Sequence, residues 1–390
     1  MLSAAAFVYV TAEIIPVGAL PAIARDLQVS EAVVGTLLAS YALVAAVATV
    51  PLVRWTAAWP RRRTLIFTLV CLTVSQLVSA MAPTFTVLAL GRVLCALTHG
   101  LMWSVIAPIG TRLVPPSHAA RATMAVYVGT ALALVVGSPV TAALSQLWGW
   151  RMAVVAITAA AAVVTVAARL ALPRMPMTED STRAGLPRQW HHRNRRLLTM
   201  SVLTLVGVTG HFISYTFIVV IIRDVVGVRG PDLAWLLAAY GVAGLVAMAV
   251  LARPGDRRPK GAILLCLAGS SLAFATLAGL GFFEHRHTTP LVLLGVAAII
   301  LWGATATAMP PILQSAAMRH SPEDPDGASG LYVAAFQVGI MAGSLLGGLL
   351  YQRVGIPATI AASAVLMVGA LTCVVAGRGL FAVPRPTGAK

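Results

Sequence analysis

The sequence predicts an all-α membrane protein of twelve transmembrane helices, arranged as two pseudo-symmetric six-helix bundles. Three observations predict it. Of 390 residues, 59% are hydrophobic and only 10% are charged, too few charges to clothe a water-soluble globule. Apolar runs of about 20 residues, the length that crosses a hydrocarbon core roughly 30 Å thick, recur from one end of the chain to the other. The second half of the chain also repeats landmarks of the first at a nearly constant offset.

Read by hydropathy, the spans occupy residues 2–24, 32–53, 64–81, 87–113, 120–146, 150–172, 197–222, 232–252, 262–283, 289–317, 327–351 and 356–376. The first has nothing basic before it and no small-residue cleavage site, and it holds Glu13, Pro16 and Gly18, so it reads as a span and not as a signal peptide. Its lack of a cytoplasmic lead-in leaves room for a longer native N-terminus. Most connections are short. A basic, Pro-containing segment at 173–196 divides the chain into an N-terminal bundle (1–172), a cytoplasmic linker (173–196), a C-terminal bundle (197–376) and a tail (377–390). His191 and His192 in the linker read as solvated loop residues, with a metal or regulatory site as the alternative.

The repeat is specific. Arg25-Asp26 is echoed by Arg223-Asp224, Tyr41 by Tyr240 and Trp103 by Trp302, at offsets of 198 or 199. Tyr127-Val128 matches Tyr332-Val333, while Gly137-Ser138, Gln146 and Gly149 match Gly343-Ser344, Gln352 and Gly355, at 205 or 206. Each half holds an even number of spans, so both insert the same way round and are related by an axis along the membrane normal. That is the plan of a two-bundle secondary transporter.

The net charge of +16 does not point to nucleic acid, because the basic residues are scattered between spans. Even-numbered loops and the tail carry twenty Arg and Lys, odd-numbered loops six. By the positive-inside rule both termini lie in the cytoplasm. Cys71, Cys95, Cys266 and Cys373 fall singly in four spans, without CxxC or zinc-ligand spacing, and read as packing residues.

Chemistry is expected where ionisable groups sit at membrane depth, since each costs about 2.5–3.5 kcal/mol even on the mildest scale. Eleven of the twelve acids fall in loops or at helix ends; Glu13, midway along the first span, does not. Desolvation there favours the neutral carboxyl, so protonation depends on which side the group faces, and Glu13 is the expected proton carrier. A permanently neutral packing Glu is the alternative. Arg92, His99 and Trp103, at i, i+7 and i+11, share one stripe of the fourth span. Arg92 reads as counter-charge to Glu13 or substrate donor, His99 as substrate contact, proton relay or satisfied buried imidazole, and Trp103 as stacking platform or filler. In the seventh span His211 and Tyr215 lie one turn apart, and His211 falls at the repeat position of Glu13, which makes it a second proton-coupling candidate. Tyr41, Tyr240, Trp302 and Gln337 are further candidates for a substrate-lining role, as are Tyr127 and Tyr332. For gating, Asp256 and Arg257 lie in RPGDRR after the eighth span, while Arg61, Arg62 and Arg63 hold the matching place in the first half without an acid. Gly129, Gly137 and Pro139 read as close-packing and bending positions of the fifth span, and Gly339, Gly343 and Gly347 as their counterparts in the eleventh.

Segments in order along the chain carry a family resemblance: EIIPVGALPAIA from Glu13, Gly91-Arg92 through HGLMWS from His99, GTALA from Gly129 with Gly137-Ser138-Pro139, Trp150-Arg151-Met152, and TGHFISYTF around His211. Together they resemble the sugar efflux transporters of the drug:proton antiporter branch of the major facilitator superfamily, over essentially the whole chain. The resemblance implies two six-helix bundles with spans 1, 4, 7 and 10 around a cavity, alternating access, and export driven by proton influx. The Gly137/Pro139 element is similar to that branch's antiporter signature. Some relatives carry an acid shortly after the aromatics of the seventh span, where this chain has Val219.

The expectation is therefore a secondary transporter, not an enzyme, that exports sugars or sugar-like molecules in exchange for protons. A drug or nucleoside exporter of the same fold is the alternative. An intramembrane enzyme is disfavoured by the absence of HExxH, GxSxG and clustered carboxylates, and a non-transporting sensor is a further class. ATP is not the expected energy source, because no GxxxxGK[ST] loop occurs. The expected partners are a small-molecule substrate, protons and membrane lipids, with no cofactor, no metal and no nucleic acid, in a chain that works as a monomer.

Overall fold

The computed structural model describes residues 1–173, 194–282, 288–322, 324–377 and 380–381. Most of the linker, including His191 and His192, lies outside the described residues. Within them every regular element is helical. Among the described residues eleven helices are long and apolar enough to cross a membrane, and a shorter apolar helix, Leu2–Pro16, occupies the place of the first span. Large apolar side chains point outward from these helices, Leu170 at 80% and Val365 at 69% exposure among them, a pattern that only a hydrocarbon solvent tolerates.

The chain divides into two compact units. Unit 1 comprises residues 1–116, 125–193 and 321–337. It contains α1 (Leu2–Gly18), α2 (Leu20–Asp26), α3 (Glu31–Trp55), α4 (Arg61–Ala80), α5 (Phe85–Arg112), most of α6 (Ala119–Leu132), α7 (Ser138–Trp148) and α8 (Trp150–Ala171). Unit 2 comprises residues 117–124, 194–320 and 338–390. It contains α9 (Arg195–Tyr215), α10 (Ile218–Val220), α11 (Pro231–Arg257), α12 (Pro259–Phe282), α13 (Thr289–Arg319) and α15 (Ile356–Ala376). Helix α14 (Pro325–Val354) gives its first turns to unit 1 and the rest to unit 2.

Local sequence explains where the helices start and break. Ser30, Thr84 and Asn194 each accept a backbone N–H with the side chain, from Val33, Val87 and Leu197, and so cap α3, α5 and α9. Pro139 has no N–H to offer Val135, four residues earlier, and the backbone relaxes there into a π turn, Ala133–Gly137, between α6 and α7. The α7–α8 corner turns on Gly149 at φ 88° and the α14–α15 corner on Gly355 at φ 83°. These repeat-matched glycines take a backbone shape that a side chain would strain.

Small residues set the closest helix approaches. In unit 1 a Cβ on Gly129 would collide with the backbone of Ser3, and one on Gly137 with Thr11, so α6 and the π turn lie directly against α1. In unit 2 the same device works between α14 and α9. A Cβ on Gly343 would lie 2.7 Å from the Thr209 carbonyl oxygen, and one on Gly347 would lie 2.5 Å from that of Ile213. Four more polar groups close the end of unit 1. Asp26, at the end of α2, takes a hydrogen bond from Trp150 Nε1 at 3.0 Å and pairs with Arg151, whose other arm donates to the Ala82 carbonyl at 2.7 Å.

Two predictions follow from this packing. Gly129→Val drives a branched side chain into the α1 backbone and lowers the melting temperature in detergent sharply, whereas Gly348→Ala, where a Cβ meets nothing within 4 Å, leaves it unchanged or raised. The Arg151 hydrogen bond holds the Asp26 carboxyl below its ordinary value, with the Trp150 bond adding to it. The tie therefore contributes stability above the ordinary aspartate range and loses it as pH falls through the depressed value. Hydrogen exchange at the start of α8 accelerates in that acid window, and Asp26→Asn removes the pH dependence.

Candidate functional site

In unit 1 the proline of α1 creates the site. Pro16 lacks the N–H that would meet the Ala12 carbonyl, so that oxygen is left without its helical donor inside an apolar bundle. Arg92, buried on α5, supplies the missing bond: Nη1 donates to the Ala12 carbonyl at 2.6 Å and Nη2 to the Glu13 carbonyl at 2.8 Å. Its Nε has no hydrogen-bond partner among the described residues. Arg92 thus grips the backbone of the Glu13 turn, and its positive charge lies beside the carboxyl through that grip. Its guanidinium also covers the Tyr41 ring, 5.0 Å from the centroid.

The Glu13 side chain is 18% exposed and its Oε2 lies 3.8 Å from Nδ1 of His99, just beyond hydrogen-bonding range. That nitrogen is 2.9 Å from the Tyr41 hydroxyl, which also meets Cys95 Sγ at 3.4 Å. The His99 ring is boxed by Tyr9, Tyr41 and Trp103 at centroid distances of 6.0, 5.3 and 6.3 Å, and Trp103 packs on Tyr127 at 5.0 Å. Glu13, Arg92, His99, Trp103 and Tyr41 therefore form one cluster. Gln337, near the middle of α14, is buried in the same unit, and its Oε1 lacks a hydrogen bond among the described residues.

Sequence reading passed over Tyr9, which underpins this cluster. Fully buried, it donates to the Thr68 carbonyl at 2.7 Å and shares a 3.0 Å hydrogen bond with Thr98 Oγ1. Its signal was the i, i+4 spacing to Glu13, which puts both on one face of α1.

Unit 2 brings its candidates together as an aromatic cluster. His211 stacks on Tyr215 at 4.9 Å, and Trp302 lies edge-on to His211, Tyr215 and Tyr240 at 5.7, 6.3 and 5.6 Å. Trp302 Nε1 donates to His211 Nδ1 at 3.0 Å. The position matching His99 is Ala298, which is why Tyr240 and Trp302 touch directly here. Val219, where an acid was a possibility, is an exposed apolar residue.

Three of the four gating candidates take partners from other helices. Asp256 pairs with Arg121 at 2.6 Å and accepts the Ala120 N–H at 2.7 Å, at the start of α6. Arg61 pairs with Asp326 at 2.5 Å, and Arg112 reaches the same oxygen at 3.1 Å. The 61–63 segment has no acid of its own, and its partner carboxylate comes from α14. Arg62 instead donates to the Arg169 carbonyl. No ion pair of Arg257 is present among the described residues.

A sequence profile of the Major Facilitator Superfamily matches residues 2–327 and 200–390, together the whole length. The chain belongs to the Major Facilitator Superfamily. The chloramphenicol efflux pump of Mycobacterium tuberculosis strain H37Rv is 66% identical over 384 residues, 98% of this chain and 92% of its own. That of strain CDC 1551 is 65% identical over the same shares. The crystal structure of the human organic anion transporter MFSD10 (TETRAN) superposes with a TM-score of 0.72 over 96% of this chain and 97% of its own, at 15% identity, a likeness of fold alone. This superfamily member is a multi-pass membrane efflux transporter and not an enzyme. The expectation of a sugar as cargo finds no support in these relatives, and the drug-export alternative fits them better.

The ion pairs give a graded prediction. Asp326→Asn leaves two guanidiniums around a buried, uncharged amide and costs roughly 3–5 kcal/mol. Arg112→Gln, which removes a partner that is 36% exposed, costs under about 1 kcal/mol. Chemical denaturation in detergent ranks the two.

Proposed function

We propose that this transporter exports small neutral aromatic drugs of the chloramphenicol type in exchange for protons, by alternating access. The observation that carries this reading is Glu13: an acid at membrane depth, partly exposed, on a proline-broken turn beside the buried Arg92 and His99. Such a carboxyl is stable when neutral and can ionise only when water reaches it, so its proton is lost or gained according to the side it faces. The 66% identity to a chloramphenicol efflux pump supports the cargo.

In this reading His99 and Tyr41 relay or stabilise the Glu13 proton, the 3.8 Å gap closing by rotation of the carboxyl. Within unit 1 Trp103 and Gln337, and separately within unit 2 Tyr215 and Tyr240, offer drug contacts, and Arg92 holds the Glu13 turn in place. The ion pairs of Asp256 with Arg121 and of Arg61 with Asp326 act as gates, broken and remade in each cycle. The twenty-to-six distribution of basic residues supports cytoplasmic termini in a bacterial inner membrane. The proton gradient is the energy source, without a cofactor, and one chain is the working unit.

The test uses proteoliposomes with radiolabelled chloramphenicol and an imposed pH gradient. Glu13→Gln lowers gradient-driven transport at least about tenfold, the equivalent of about 1.4 kcal/mol, while drug counterflow without a gradient persists. Full gradient-driven activity in that variant refutes Glu13 as the coupling site. Wild-type flux of a thiogalactoside but not of chloramphenicol refutes the cargo.

A further inference from the structure

Both halves place a titratable group at one repeat position, Glu13 in the first and His211 in the second, and the sequence alone makes His211 a second proton site. The hydrogen-bond geometry of unit 2 argues for a different role. An indole N–H only donates, so the 3.0 Å contact from Trp302 Nε1 requires Nδ1 of His211 to present its lone pair. The ring proton then resides on Nε2, as the partner of the other nitrogen dictates. A second proton would have to sit on Nδ1, head-on to the indole hydrogen.

The indole cannot readily turn away. Trp302 is fully buried and wedged against Phe274 at 4.8 Å and Tyr240 at 5.6 Å. The imidazole is held as firmly, stacked on Tyr215 and edge-on to Phe212 at 5.0 Å. The groups that face it from its own helix, α9, and from α13 are thus aromatic. The titratable ones nearby are the phenols of Tyr215 and, beyond it, Tyr240. No carboxylate or cationic side chain is paired with His211 among the described residues. Yet His211, Phe212 and Tyr215 are only half-buried, and Nε2 has no hydrogen-bond partner among those residues.

We propose that His211 is a specificity-determining hydrogen-bond donor of fixed tautomer and not a second proton carrier. Its Nε2–H meets an oxygen acceptor (a carbonyl, nitro or hydroxyl group) of a neutral compound whose flat ring extends the Phe212–Tyr215 array. A cationic compound finds no counter-charge there, which selects against it. The proposal deepens the drug-export reading and rests on it for the cargo; the tautomer does not depend on it.

Two measurements separate these. In nanodiscs with ring-15N histidine, assigned by its loss in His211→Gln, the His211 signals stay pyridine-type at Nδ1 and pyrrole-type at Nε2 from about pH 5 to about pH 8. Trp302→Phe, which keeps a ring but removes the N–H, restores an ordinary imidazole titration. An imidazolium signal appearing within that range in the wild-type protein overturns the fixed tautomer. In the second arm, equilibrium binding of chloramphenicol without a gradient weakens roughly three- to tenfold in His211→Leu. His211→Gln, which keeps an N–H near the Nε2 position, recovers most of the affinity that His211→Leu loses, and transport through it still responds to the imposed pH gradient. Undiminished binding in His211→Leu, or loss of proton coupling in His211→Gln, overturns the donor role. If the wild-type protein binds no chloramphenicol, the cargo reading and the drug contact fall together, while the nitrogen spectra still decide the tautomer.

Discussion

The two hydrogen bonds from Arg92 to the Ala12 and Glu13 carbonyls are the interaction on which unit 1 depends. In water a carbonyl released by a proline would simply be hydrated. In hydrocarbon it must be met by the protein, and an unmet backbone oxygen costs as much as many side-chain contacts return. Arg92 meets two oxygens with one rigid fork, a task for which the single ammonium of lysine is ill suited. Its own burial is compensated by the same bonds and by the Tyr41 face beneath it. The position of the Glu13 carboxyl follows from this exchange, because the turn that carries it is fixed by its backbone and leaves the side chain room to move.

The two units solve one problem with different chemistry at matched positions. In unit 1 the first helix contributes an acid and α5 an imidazole, and the hydroxyls of Tyr41 and Tyr9 fill the space between and below them. In unit 2 the imidazole moves to the place of the acid, Ala298 stands where His99 would be, and an indole takes over the hydrogen bond. Both clusters are aromatic, but the carboxyl at the matched position belongs to unit 1 alone.

Much of the fold was legible because a bilayer permits few backbone solutions. Run length, Gly/Pro placement and the offset repeat located the helices, and the repeat-matched Gly149 and Gly355 both adopt positive φ. The first span was less regular than hydropathy suggests: it ends at Gly18 and restarts at Leu20, since Pro16 and Gly18 both weaken the helix between. The site was legible as far as composition reaches. The stripe Arg92, His99, Trp103 does converge on Glu13, but the sequence could not say that Arg92 spends its donors on main-chain oxygens, because a side chain's choice between backbone and carboxylate has no sequence signature. Tyr9 was missed for the opposite reason, a buried tyrosine in an apolar run looking like any packing residue until its hydroxyl is traced. The cargo lay beyond reach altogether, as one transporter scaffold serves many ligands.

Asp326 shows how a repeat can keep a contact while exchanging which side supplies each charge. The last turn of α11 carries the acid and meets the base of Arg121; the first turn of α4 carries the base and the start of α14 carries the acid. Anyone regularising the two halves against each other by restoring a carboxylate to the 61–63 stretch would set two anions face to face. Chimeras between this protein and its relatives should accordingly exchange that arginine stretch and the opening turn of α14 as a matched set.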